Sequence, residues 1–303
     1  MRKFLLKLRN KLFFNEMRQF IRKELELYMR SLDYFVDITQ APKARGQLRQ
    51  IQLLDLFLMK ELKSICDKLD IKFWLRGGSA LGALRHKGFI PWDDDVDLGM
   101  MREDFNKLVG FVNTNSKYFE ITYFYHFDSK VAKFKFKNSK APIFVDIFPF
   151  DWCSWENHDE FWENWRKDKN ELVNKILAIG YKEGYKETLP TEVIEEIEAT
   201  NRPYIEKYTH YNERSAIFSA IEQINTRNVR IFPSEMIFPL KLIQFEDTEF
   251  YIPNQIEKYL EFYYGDYMKF PQNVNTKFHN FMFSDNDYEY IEPMYKKYIQ
   301  DEV

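Results

Sequence analysis

Four carboxylates crowd into one short stretch, Asp93, Asp94, Asp95 and Asp97, downstream of a glycine–serine turn, Gly77-Gly78-Ser79. A basic segment, Arg85-His86-Lys87, separates the two. Backbone N–H groups and cations suit phosphates, and paired carboxylates suit a divalent ion, so these are the parts of polyphosphate chemistry. Asp95 and Asp97 sit two apart in an alternating stretch with Val96 and Leu98. On a strand both would point the same way and reach one cation. Asp146 lies within Phe144-Val-Asp-Ile-Phe148, an otherwise apolar run. A lone carboxylate there is costly to bury without a cation or donors, so it is the expected third carboxylate. Mg²⁺, with Mn²⁺ as its substitute, fits such an oxygen-only set.

Plainer readings compete with this one. An acidic run can be a solvated turn, but Trp92, Val96, Leu98 and Met100 imply that one side of this segment is buried. An EF-hand-like calcium loop starting at Asp93 fails, because Gly99 falls at position seven, Asp104 replaces the glutamate at twelve, and Pro91 breaks any preceding helix. Arg85, His86 and Lys87 suit a phosphate, and equally the solvated C-terminus of a helix.

The elements that must hold these residues can be read from periodicity. Leu48, Ile51, Leu54, Leu58, Leu62, Ile65 and Leu69 predict a helix over 47–69, followed by a strand over 71–75. A second helix is expected from Ser79, as N-cap, to Arg85, and a strand over 94–100. A helix over 102–112 and strands at 119–127, 131–137 and 142–148 follow. Beyond Pro149 the pattern turns helical at 156–179, 191–208 and 256–264, with mixed strand and loop over 232–250.

The chain has 303 residues with 18% aromatics, which favours a folded protein with a substantial core. A net charge of −3 argues against nucleic acid as a partner. Two cysteines, Cys66 and Cys153, make no disulfide framework, which fits a reducing compartment. Residues 1–30 are basic, with nine Lys and Arg against three Glu. Met1, Phe4, Leu5, Leu8 and Leu12 would share one helix face, suited either to the protein's own core or to peripheral contact with an anionic membrane. Lys7, Arg9 and Lys11 interrupt any signal-peptide core, and no stretch reaches the length of a membrane span.

The stretch Arg76–Met100, with its Gly-Gly-Ser turn and Asp-Asp-Asp-Val-Asp run, resembles the LicD family of phosphocholine transferases, which are related to fukutin-type ribitol-phosphate transferases. Phe144-Val-Asp-Ile-Phe-Pro149 and Tyr264-Gly-Asp-Tyr-Met-Lys-Phe-Pro271 are similar to two further family blocks. The gap of fifteen residues, 80–94, is longer than is usual for the polymerase-beta type of nucleotidyltransferase and marks the subfamily. The resemblance implies an α/β (α+β) fold, a nucleotidyltransferase-like mixed β-sheet flanked by helices, with helical N-terminal and C-terminal extensions. The expected division is a basic segment 1–45, a catalytic core 46–150, and a mostly helical region 151–303 that packs on the core and completes the acceptor site. It further implies transfer of a phospho-alcohol, phosphocholine foremost, from a CDP-activated donor to a sugar hydroxyl of a cell-surface glycan or lipid-linked glycan, releasing CMP in the cytoplasm or at the inner membrane face. Asp95, Asp97 and Asp146 would be catalytic and, with Asp93, hold the metal. Gly77, Gly78, Ser79, Arg85 and Lys87 would bind donor phosphate. An aromatic cage for choline would draw on Trp74, Trp92, Trp152 or Trp155. A metal-dependent glycosyltransferase using a sugar nucleotide, or a non-catalytic glycan- or choline-binding protein on the same fold, are the alternatives.

Overall fold

A computed structural model describes residues 17–126, 129–156, 159–179, 189–209, 211–219, 221–223, 230–271 and 285–300, positions 18 and 22 excepted. The amphipathic face expected over residues 1–12 lies outside them. A helix over 23–32 (α1) comes first. It precedes α2 (Gly46–Lys68), whose Ile51, Leu54, Leu58 and Leu62 are fully buried at the expected helical spacing. Next come β1 (Phe73–Leu75), α3 (Gly77–His86), β2 (Asp97–Met101) and α4 (Arg102–Asn115). The hairpin β3 (Phe119–His126) and β4 (Ser129–Phe136) leads into β5 (Phe144–Cys153).

The sheet runs β1-β2-β5-β4-β3, with β2 parallel to β5 and the remaining pairs antiparallel. Helices flank it, and the α/β expectation holds. The change of character near residue 150 does not interrupt the sheet. β5 runs through that point, and β6 (Ala216–Ser219) pairs with its second half, from Phe150 to Cys153. β7 (Ile231–Pro233) pairs with β6 in turn. Between β5 and β6, α5 (Asp159–Ala178) and α6 (Thr191–Thr209) pack on each other around Leu172, Ile176, Val193 and Ile197. A one-turn α7 (Ser234–Ile237), the hairpin β8 (Lys241–Phe245) and β9 (Thr248–Ile252), α8 (Ile256–Tyr264) and α9 (Asp285–Tyr295) complete the order. One core joins α2, the sheet, β8, β9, α8 and Ile291 of α9.

Among the boundaries that differ from expectation, three do so for clear physical reasons. The helix expected to start at Ser79 starts at Gly77, because the Ser79 hydroxyl is engaged by the Asp97 N–H instead of capping a helix. The strand expected from residue 94 begins at Asp97, so three of the four carboxylates lie in the preceding loop. Alternation nevertheless holds across both segments: Val96 and Leu98 are buried, while Asp95 and Asp97 are half-buried. The strand expected to end at Phe148 continues to Cys153, where β6 supplies it with a partner. Gly99 is where this sheet needs a glycine. The buried Trp74 indole lies across it, and a Cβ there would stand 2.5 Å from that ring.

Candidate active site

β2 and β5 are parallel neighbours, and their register pairs Asp97 directly with Asp146. Two carboxylates forty-nine residues apart therefore stand side by side at one end of the sheet. The loop before β2 brings Asp93, Asp94 and Asp95 together, with carboxylate oxygens within 4.8 Å of one another. Asp94, absent from the expected metal set, is the buried member of that trio. The Gln52 side-chain amide, on α2, holds this loop by donating to the carbonyls of Asp93 (2.9 Å) and Ile90 (3.3 Å).

The glycine turn faces these acids. A Cβ on Gly77 would lie 3.1 Å from Asp97 Oδ2, and one on Gly78 would lie 2.8 Å from Asp93 Oδ2. Gly77 also has φ +52°, where side chains are strained. Ser79 ties the turn to the acidic strand, its Oγ accepting the Asp97 N–H at 2.9 Å. That bond leaves the hydroxyl proton available as a donor.

Two cations answer this charge. Lys133, on β4, sits opposite Asp146 in the ladder and meets its Oδ1 at 2.8 Å, with the ammonium 3.2 Å from the centre of the Phe144 ring. Arg76, the residue before the turn, is buried. Its guanidinium lies 3.6 Å from the centre of the Phe148 ring and donates to the Tyr263 hydroxyl at 3.2 Å. Tyr259 accepts the Gly77 N–H at 3.4 Å, and the Tyr264 hydroxyl lies 3.6 Å from the point where a Gly77 Cβ would be. Thus α8 supplies three phenols to the turn.

Arg76, Lys133, Asp94 and these tyrosines were not singled out from the sequence as site residues. The register that sets Lys133 against Asp146 has no local sequence signal. The tyrosines adjoin the Tyr-Gly-Asp-Tyr block, which was the available pointer to them.

The basic segment behaves less uniformly than its composition implies. Arg85 is buried, donating from Nη1 to the Tyr267 carbonyl (2.6 Å) and from Nε to His86 Nε2 (3.0 Å). Burial, with Arg85 adjacent, pushes the His86 imidazole down to about 4, so it is neutral at pH 7 and contributes no cation. Lys87 is exposed at the far end of α3, its carbonyl accepting the Glu246 N–H at 2.7 Å. Of the four tryptophans, Trp92 directly precedes Asp93 and has its ring stacked on Phe270 at 6.1 Å, while Trp155 is exposed. Trp74 is buried in the core, and Trp152 packs on Phe238. A hollow of about 630 Å³, lined by Lys72, Met101, Asp104 and Trp152, lies at the opposite end of β1 and β2, and none of the clustered acids lines it.

The donor set suits a hard divalent cation. Burial pushes the Asp97 carboxyl up to about 7 despite the pull of Arg76, with Asp95 and Asp146 adding to the rise. Burial and the neighbouring Asp95 and Asp97 hold Asp93 well above the ordinary carboxylate range. Such a group favours its protonated form in the fold. Its contribution to stability is full below the unfolded pKa of 3.8 and is lost as pH rises through about 7. The metal-free protein is therefore expected to melt at lower temperature at about pH 8 than at about pH 5, by an amount reflecting a few kcal/mol. Mg²⁺ should reverse that loss by binding only the ionised folded state. Thermal melts with and without Mg²⁺ across this range check it, and no response to the ion at high pH contradicts the metal assignment.

Comparison with known proteins finds the same resemblance. Residues 70–177 match the model of the LicD/FKTN/FKRP nucleotidyltransferase domain. The chain is similar to a LicD-family protein along most of its length as well. It is 26% identical over 262 residues to the lipopolysaccharide cholinephosphotransferase LicD of Haemophilus influenzae, covering 77% of this chain and 96% of that protein. Over 40 residues it is 52% identical to the human ribitol 5-phosphate transferase FKRP, 13% of this chain and 8% of that protein. An uncharacterised protein of Rickettsia typhi is 41% identical over 71 residues, 23% of each chain.

Proposed function

We propose that this protein is a LicD-type transferase that moves a phospho-alcohol, phosphocholine foremost, from a CDP-activated donor to a sugar hydroxyl of a cell-surface glycan, with CMP leaving. The observation that carries this reading is the pairing of Asp97 with Asp146 beside the Asp93–Asp95 loop, facing a turn with two glycines. The similarity to a cholinephosphotransferase over most of the chain supports phosphocholine as the group moved.

A bound Mg²⁺ or Mn²⁺ would supply neutralisation of the donor diphosphate and of charge on the departing CMP. Asp93, Asp95, Asp97 and Asp146 would hold it. Gly77 and Gly78 let the donor phosphates approach the backbone where any side chain would collide with the carboxylates. The Ser79 hydroxyl donates toward them. Asp146 takes the proton of the acceptor hydroxyl as the acceptor oxygen bonds to phosphorus and the bond from phosphorus to the CMP oxygen breaks. Lys133, 2.8 Å away, orients that carboxylate. Buried free Cys66 and Cys153 and a nucleotide-activated donor fit a cytoplasmic protein. Among the described residues no helix is long and apolar enough to cross a membrane.

Incubation with a panel of CDP-alcohols, Mg²⁺ and glycan acceptors is expected to release CMP, fastest with CDP-choline. No CMP from any CDP-alcohol would overturn the reading. Thermal stabilisation by UDP-sugars but not by CDP compounds would point instead to a glycosyltransferase.

A further inference from the structure

The segment before α2 exposes apolar residues in an ordered pattern. Phe20 and Ile21 just before α1, Leu27 and Tyr28 on it, and Tyr34 and Phe35 in the turn that closes it are all exposed, the two helical pairs lying seven residues apart. In α2 comparable residues are fully buried. Here Phe20 is 63% exposed, Tyr34 85% and Phe35 84%. Large apolar side chains gathered on one exposed face mark a surface that meets a partner.

Charge selects the partner. Residues 1–30 carry nine Lys and Arg against three Glu. A second copy of the chain would bring two such basic segments together across a shared interface and repel itself. An anionic bilayer satisfies both features, with headgroups for the cations and the acyl boundary for the aromatics.

The same segment is fastened beside the carboxylates. Asp33 Oδ1 accepts the Phe270 N–H at 2.9 Å, the Phe270 ring stacks on Trp92, and Trp92 directly precedes Asp93. We propose that the apolar face of residues 17–36 docks the protein on an anionic lipid bilayer, holding the rim of the carboxylate site at the membrane surface. Given the transferase reading, this brings the site to a lipid-anchored acceptor, while the docking itself does not depend on turnover.

Flotation of the full chain with vesicles of phosphatidylglycerol and phosphatidylethanolamine tests it. The protein is expected to float with these, to bind pure phosphatidylcholine at least about tenfold more weakly, and to release as salt rises from about 0.1 to about 0.5 M. The combined variant Phe20→Ser, Tyr34→Ser, Phe35→Ser should lose binding roughly tenfold or more while keeping its melting temperature and its CMP release with a soluble acceptor. Equal flotation of variant and wild type, or no flotation of the wild type, overturns the proposal. So does a vesicle-free dimer that the variant abolishes, since the face would then join two copies. Flotation reads lipid binding alone, so it stands or fails separately from CMP release.

Discussion

Asp97→Asn is expected to lower turnover on the order of 10³-fold or more while the protein stays folded. The carboxylate heads β2, beside Asp146 and over Gly77, where the proposed ion and the donor phosphates would meet. Asn keeps the volume and the backbone bond from the Asp97 N–H to Ser79, so the turn should survive. What it removes is the negative charge that binds the cation. Because burial lifts this carboxyl to about 7, its ionised form is disfavoured in the metal-free fold. Near pH 8 the variant should therefore melt higher than wild type without metal, by an amount on the order of 2 to 4 kcal/mol, and respond less to Mg²⁺. Lost turnover with raised apo stability separates a metal ligand from a structural residue. An Asp97→Asn protein that turns over normally refutes the role, and one that unfolds shows the carboxylate to be structural.

What the sequence revealed of this site follows the range of the interactions involved. The turn and the acidic run are local, and alternation of Val96 and Leu98 with Asp95 and Asp97 predicted correctly which side faces the core. Asp146 was legible because a carboxylate in an apolar strand needs a partner, although the nearest partner observed is Lys133. Register between β4 and β5 decides that contact, and no residue near Lys133 encodes it. The strand boundary at Asp97 was missed for the same reason, since alternation continues into a loop that has no ladder. Arg76 was read only as part of a motif. Its role depends on Phe148 beneath it and Tyr263 beside it, contributed by a strand and a helix far along the chain. The exposed apolar residues on and around α1 were likewise invisible, because apolar residues at helical spacing are usually core-facing and only the fold shows that nothing described covers them.

Arg102 illustrates the same lesson, and replacing it is expected to have the largest effect on stability. From the sequence it is merely the first residue of a helix. In the fold its Nε and Nη2 bind Asp151 at 2.9 and 2.6 Å, and its Nη1 and Nη2 bind Glu222 at 2.6 and 2.8 Å, all three side chains being buried. The guanidinium joins the start of α4 to β5 and to the turn after β6, which locks the added strands onto the parallel pair that presents Asp97 and Asp146. Burial raises Asp151, whereas for Glu222 the pull of Arg102 outweighs burial and holds the carboxyl below its ordinary value. Arg102→Met would leave two carboxylates buried together without a cation, costing about 3 to 5 kcal/mol. Adding Asp151→Leu and Glu222→Met to it should restore most of that loss, because the penalty lies in the uncompensated charge and not in lost packing. Denaturant midpoints of the two variants decide the matter. A single variant as stable as wild type would mean that the three groups are not one ionic unit, and a triple variant no better than the single would assign the loss to packing.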